Sequence, residues 1–233
     1  MDNEKFFDEI RSKIFSGRLT QNQVDGILFL VREFQKTPLS IPEVAYCLAT
    51  VYWETAQLMQ PIEEFGKGAG RKYGSKDSSG QTPYGRGYVQ LTWKENYVRA
   101  DNKLGLKGEL IRDYSKALDK EISFQIMYRG MVEGWFTGKK LSDYFSSTKK
   151  DYLNARRIIN GVDKAPTIAS IATKFENALK ISDYSKEKTV IKTTTEPEKI
   201  TNTPIVLPNP PTKTFWGVLL NLLKQIFYLG RVK

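Results

Sequence analysis

Residues 66–87 most constrain what this chain can become. Seven glycines fall within these 22 positions, GKGAGRKYGSKDSSGQTPYGRG. At that density the backbone entropy lost on folding rules out a helix or strand interior. A loop this long inside a compact domain is usually structured and functional. The flanking segments read as helices. Thr20-Gln-Asn-Gln23 has the form of a capping box, and Val24, Ile27, Leu28, Val31 and Phe34 follow at helical spacing. Ser40-Ile-Pro-Glu43 opens another helix, with Pro42 in its first turn. Val44, Cys47, Leu48, Val51, Thr55 and Leu58 form its inward stripe, and Pro61 closes it. Helical patterns resume near Thr92 and run with breaks to about Lys180. They pass through Phe124, Ile126, Met127 and Met131, then Ile168, Ile171, Ala172, Phe175 and Leu179. The expectation is a mainly α-helical domain over residues 1–184 that contains the glycine-rich loop.

Composition shifts after that. Residues 185–214, SKEKTVIKTTTEPEKITNTPIVLPNPPTKT, are rich in Thr, Pro, Lys and Glu and lack aromatic residues. Such a segment cannot bury a core and reads as a disordered linker. Residues 215–233 end the chain. Phe215–Gly230 is apolar except for a narrow stripe of Asn221, Lys224, Gln225 and Tyr228 at helical spacing. As a helix it would be roughly 24 Å long, short of a ~30 Å hydrocarbon core. Three fates stay open: lying in a membrane interface, docking on a virion or other protein, or packing back on its own domain. The formal net charge of +10 points to an anionic partner, whether nucleic acid, membrane surface or wall polymer. The opening MDNEKFFDEIRSK lacks the apolar run of a secretory signal, so the protein is expected in the cytoplasm where it is made.

Absences narrow the chemistry. The chain has no histidine and one cysteine, Cys47, which reads as a small buried hydrophobe. Ser-His-Asp and Cys-His sites are impossible, and the common zinc sets, which use His, are unavailable. Gly66-Lys-Gly-Ala-Gly70 resembles part of a phosphate loop, but no Gly-Lys-Ser/Thr ending follows and no apolar strand precedes it. What remains is a pair of carboxylates, as in glycoside hydrolysis. Glu54 lies on the helix face of Cys47 and Val51. A carboxylate there is costly unless it is paired or has work to do. An apolar wall of Tyr52 and Trp53 suits a proton donor. Glu63 and Glu64 open the glycine-rich loop and can face Glu54 across a cleft. The plainer alternative is that all three are surface glutamates.

A second segment sharpens this. Tyr84-Gly-Arg-Gly-Tyr-Val-Gln-Leu-Thr-Trp93, with Asn96 just beyond, combines aromatic faces that stack on sugars with amides that bond their hydroxyl and N-acetyl groups. Together with Trp53-Glu-Thr55, Pro61-Ile-Glu-Glu64 and Arg156-Arg-Ile-Ile-Asn-Gly161, it resembles the family 19 glycoside hydrolases, the chitinases and related phage endolysins. The resemblance spans residues 40–180 and implies a lysozyme-like, two-lobed helical fold with the glycine-rich loop lining the cleft. It implies Glu54 as general acid and Glu64 as general base, with Glu63 the alternative. It also implies Thr92 as a holder of the nucleophilic water, and Gln90, Asn96, Asn160 and Tyr84 as substrate-binding residues. The family inverts, which places acid and base about 6.5–9.5 Å apart. No metal or cofactor is implied. Two departures stand out: Trp53 replaces the family's usual His, and Glu95 stands where chitinases often carry an aromatic residue. The expected function is cleavage of β-1,4 bonds between amino sugars in peptidoglycan, as a lysozyme-like endolysin released from the host cytoplasm. The expected partner is the glycan strand, with a membrane or virion protein possible through residues 215–233 and no nucleic acid. The alternatives are a chitinase, or a virion- or membrane-attached component with a wall-cutting domain.

Overall fold

A computed structural model describes residues 1–185. The expected linker and C-terminal apolar helix lie outside the described residues. The described part is mainly helical, as the periodicity predicts. The helices are α1 Asn3–Lys13, α2 Gln21–Gln35, α3 Ile41–Glu54, α4 Lys94–Leu104, α5 Glu109–Arg112, α6 Lys120–Glu133 and α7 Ala165–Ile181. Short 3-10 turns at Tyr114–Leu118 and Asn154–Ile158 connect them. The capping box at Thr20–Gln23 forms, and Glu43 closes a second one on Ser40.

α3 is the central element. Every residue from Val44 to Tyr52 is buried. A helix apolar on all sides must be enclosed by other elements. It packs against α7, which also carries α1. Asp2 closes this lobe by donating its N–H to the Ser182 carbonyl at 2.7 Å. The second lobe gathers α4, α5, α6 and the Tyr114–Leu118 turn. Phe34 of α2 meets Phe124 of α6 edge-on at 5.1 Å. Cys47 is fully buried beside Met131, as its size and polarity suggest.

The stripe drawn through Leu58 overshoots. α3 stops at Glu54, where Thr55 Oγ1 donates to the Val51 carbonyl at 2.7 Å. Ala56, Gln57 and Met59 take positive φ, and Leu58 is exposed. This sharp exit leads into β1, Ile62–Glu63, which pairs antiparallel with β2, Arg86–Gly87. The pairing places Ile62 opposite Gly87 and Glu63 opposite Arg86. The two short strands pinch the base of the glycine-rich loop, so the loop projects from a fixed stem.

Candidate active site

Glu54 is the last residue of α3, with a side chain 16% exposed. The helix end leaves it at the edge of the core rather than inside it. Its Oε1 accepts from Arg156 Nη1 at 2.5 Å, and Oε2 has no protein partner among the described residues. Arg156 is almost fully buried and donates its Nε to the Asp163 carbonyl at 3.2 Å. A buried charge is retained only when paired, so each side chain fixes the other. The apolar wall expected from Trp53 is absent. Residues 53 and 54 are about 100° apart around a helix. Trp53 lies at a separate surface hollow with Tyr52, Ala56 and Gln57. A guanidinium, not an indole, meets the Glu54 carboxylate.

The two glutamates of the stem diverge because side chains alternate along an extended backbone. Glu64 lines the same cavity as Glu54, a space of about 440 Å³. Its N–H donates to the Gly85 carbonyl at 2.7 Å. Its Oε2 accepts the Gly85 N–H at 3.0 Å, and its Oε1 accepts the Tyr73 hydroxyl at 3.0 Å. Glu63 does not line this cavity. It accepts the Tyr84 hydroxyl at 2.5 Å and pairs with Lys67 at 3.0 Å and Arg86 at 3.7 Å. The Tyr84 hydrogen bond, then Lys67, hold its carboxyl below the ordinary glutamate range.

The rest of the cavity comes from the segment after β2 and from the turn after Asn154–Ile158. Gln90, Thr92, Trp93, Asn96 and Asn160 line it with Tyr73 and Phe136. Gln90 spends its amide nitrogen on the Ile62 and Gly87 carbonyls, both at 3.1 Å. Its Oε1 remains to accept. Thr92 donates its hydroxyl to the Gln90 carbonyl at 2.8 Å, which leaves its lone pairs for an incoming donor. Asn96 is anchored through Nδ2 to the Thr92 carbonyl at 2.8 Å. Asn160 Oδ1 accepts from Gly161 at 2.8 Å, leaving its Nδ2 without a partner among the described residues. Trp93 is 43% exposed, and Tyr73 meets it edge-on at 5.3 Å.

Glu54, Glu64, Thr92, Gln90, Asn96 and Asn160 are thus brought together, and Tyr84 is not. Tyr84 is buried behind the wall, its ring stacked 3.6 Å beneath the Arg86 guanidinium and its hydroxyl turned to Glu63. Arg86 is structural, donating Nη1 to the Thr82 and Tyr84 carbonyls and to the Tyr97 hydroxyl. Loop conformation explains Gly87, at φ +84°, but not Gly85. A Cβ at Gly85 would stand 2.9 Å from Gln90 Oε1 and 3.3 Å from Thr92 Oγ1. A larger residue there would therefore push on Gln90 and Thr92, both of which line the cavity. Arg156 and Tyr73 were not picked out by spacing. A half-buried carboxylate implies a cation, but nothing in the pattern separates Arg156 from the exposed Arg157.

No protein-family model matches the sequence, and no curated protein matches it. Among solved structures, the chain is similar to chitinase C from Streptomyces griseus, at 20% identity and a TM-score of 0.47, over 78% of this chain and 76% of that one. It is also similar to a mutant of chitinase C, at 20% identity and a TM-score of 0.44, over 78% of this chain and 92% of that one.

Proposed function

We propose that this domain is a glycoside hydrolase that cleaves β-1,4 bonds between amino sugars of peptidoglycan, a lysozyme-like endolysin. One observation carries this reading: Glu54 and Glu64 line one cavity from separate elements, while Glu63 is tied off outside it. Two carboxylates lining one cavity from separate elements suit an inverting displacement. Glu54 gives a proton to the glycosidic oxygen as that bond breaks, from the oxygen that Arg156 leaves free. Arg156 holds Oε1 and aims the group. Glu64 takes a proton from water as the water oxygen bonds to the anomeric carbon on the opposite face. The Tyr73 hydroxyl and the Gly85 N–H fix both Glu64 oxygens in place. Thr92 accepts a hydrogen bond from the same water. Trp93 and Phe136 offer apolar faces to sugar rings. Gln90 Oε1 and Asn160 Nδ2 offer one acceptor and one donor to hydroxyl and N-acetyl groups.

The assay is release of reducing ends from purified peptidoglycan. Glu54→Gln removes the transferable proton while keeping a hydrogen-bonding group beside Arg156. General acid catalysis contributes about 10²–10⁴-fold, so a loss of that size is expected at a temperature where the variant is still folded, with a lowered melting temperature because Arg156 loses its counter-charge. Full activity of the variant overturns the assignment.

A further inference from the structure

Resting on the hydrolase reading above, we propose that Arg71 and Lys72 form a cationic rim that selects glycan strands bearing pendant carboxylates over neutral ones. Both residues are exposed and stand immediately before Tyr73, which lines the cavity and holds Glu64. Their position is built rather than floppy. Arg71 N–H donates to the Gly68 carbonyl and Gly74 N–H to the Arg71 carbonyl, each at 2.9 Å. Gly68 and Gly74 touch so closely that a Cβ on Gly74 would stand 1.8 Å from the Gly68 carbonyl oxygen. The loop is therefore folded on itself around Arg71 and Lys72. Arg71 also acts on the Tyr73 hydroxyl, opposing the rise that burial and Glu64 impose on it.

Of the loop's other charges, Lys76 is exposed with no carboxylate partner among the described residues, and the rest are engaged. Lys67 pairs with Glu63, and Asp77 is held by Ser79 and Tyr114 with Lys94 nearby. Arg71 and Lys72 pair with no carboxylate among the described residues. An unpaired cation pair beside a sugar-sized cavity has nothing to recognise in a neutral polysaccharide. A polyphosphate threaded through the cavity would run against Glu54 and Glu64. A strand whose backbone is neutral and whose carboxylates hang from its sugars meets neither objection. Its sugars lie over the glutamates, and its side groups reach the rim.

The test compares the full chain with Arg71→Gln/Lys72→Gln on three preparations of purified wall. One is native. One has its carboxylates capped with methylamine by carbodiimide coupling. One is stripped of phosphate polymers with hydrofluoric acid. Both co-sedimentation and reducing-end release are measured. Two exposed charge contacts are together worth about a fivefold effect. The double variant should fall about fivefold below the wild type on native and stripped walls, in both readouts at low salt. On capped walls the two proteins should coincide. An equal deficit on capped and native walls, or none on native walls, overturns the rim. A deficit that vanishes on stripped walls assigns the cations to phosphate and overturns the carboxylate selection. If the wild type cleaves no wall but the sedimentation pattern holds, the rim stands and the hydrolase reading falls.

Discussion

At the scale of the residue, a carboxylate is defined by what its two oxygens touch. Glu54 keeps one oxygen on Arg156 and leaves the other without a protein partner. Glu64 has both oxygens held, by Tyr73 and Gly85. Sequence marked Glu54 as an awkward carboxylate on the buried face of an apolar helix, and that signal was physical. It could not choose between Glu63 and Glu64, because adjacent identical side chains differ only in the direction the backbone turns them. It put Tyr84 among the substrate-binding residues and did not single out Tyr73. Tyr84 sits in the conspicuous YGRG run, yet its hydroxyl serves Glu63 behind the wall, while Tyr73, in an unremarkable stretch, serves Glu64. Hydrogen bonds to a charged group are worth about 1.5–3 kcal/mol. Tyr73→Phe is therefore expected to lower kcat about tenfold or more with little change in KM. Steady-state kinetics on soluble wall fragments measure the split. A rise in KM alone would make Tyr73 a substrate contact instead.

At the scale of the element, the glycine-rich segment is a folded loop on a two-stranded stem. Its glycine content was legible as irregular backbone. Its fastening was not, because the fasteners come from distant chain. Gln81 donates to the carbonyls of Ile111 and Arg112 and accepts from the Tyr114 N–H. Asp77 is the acidic clasp. Burial disfavours its ionised form, but hydrogen bonds from Ser79 and Tyr114 outweigh that and hold its carboxyl well below the usual range. A carboxyl that is a stronger acid when folded contributes stability above its unfolded pKa of about 3.9. That contribution is lost as pH falls below about 4 toward the folded value. Asp77→Asn should therefore lower the melting temperature at neutral pH and flatten its decline below that point. Calorimetry across pH checks this. Parallel curves for the two proteins would place the acid lability elsewhere.

At the scale of the whole molecule, the helical framework was the most legible part. Periodicity placed the buried stripes of α2, α3, α6 and α7, because apolar spacing and burial share one physical cause. Leu58 was misplaced because the pattern continues past the point where Thr55 and the positive-φ residues after it turn the chain. Phe215–Gly230 is a largely apolar stretch of the sequence. With Arg231 and Lys233 beside it, this stretch is expected to carry the full chain down with anionic liposomes while residues 1–184 stay in solution. Equal sedimentation of the two would rule out lipid contact and leave protein docking or self-packing.

The central claim is that two carboxylates hydrolyse a glycan strand with water as the nucleophile. Mass spectrometry of fragments from digested peptidoglycan tests it most directly. Each cut should add one water and leave an ordinary reducing end, and both Glu54→Gln and Glu64→Gln should suppress the products. Fragments ending in an anhydro sugar, or undiminished fragments from either variant, would contradict the account.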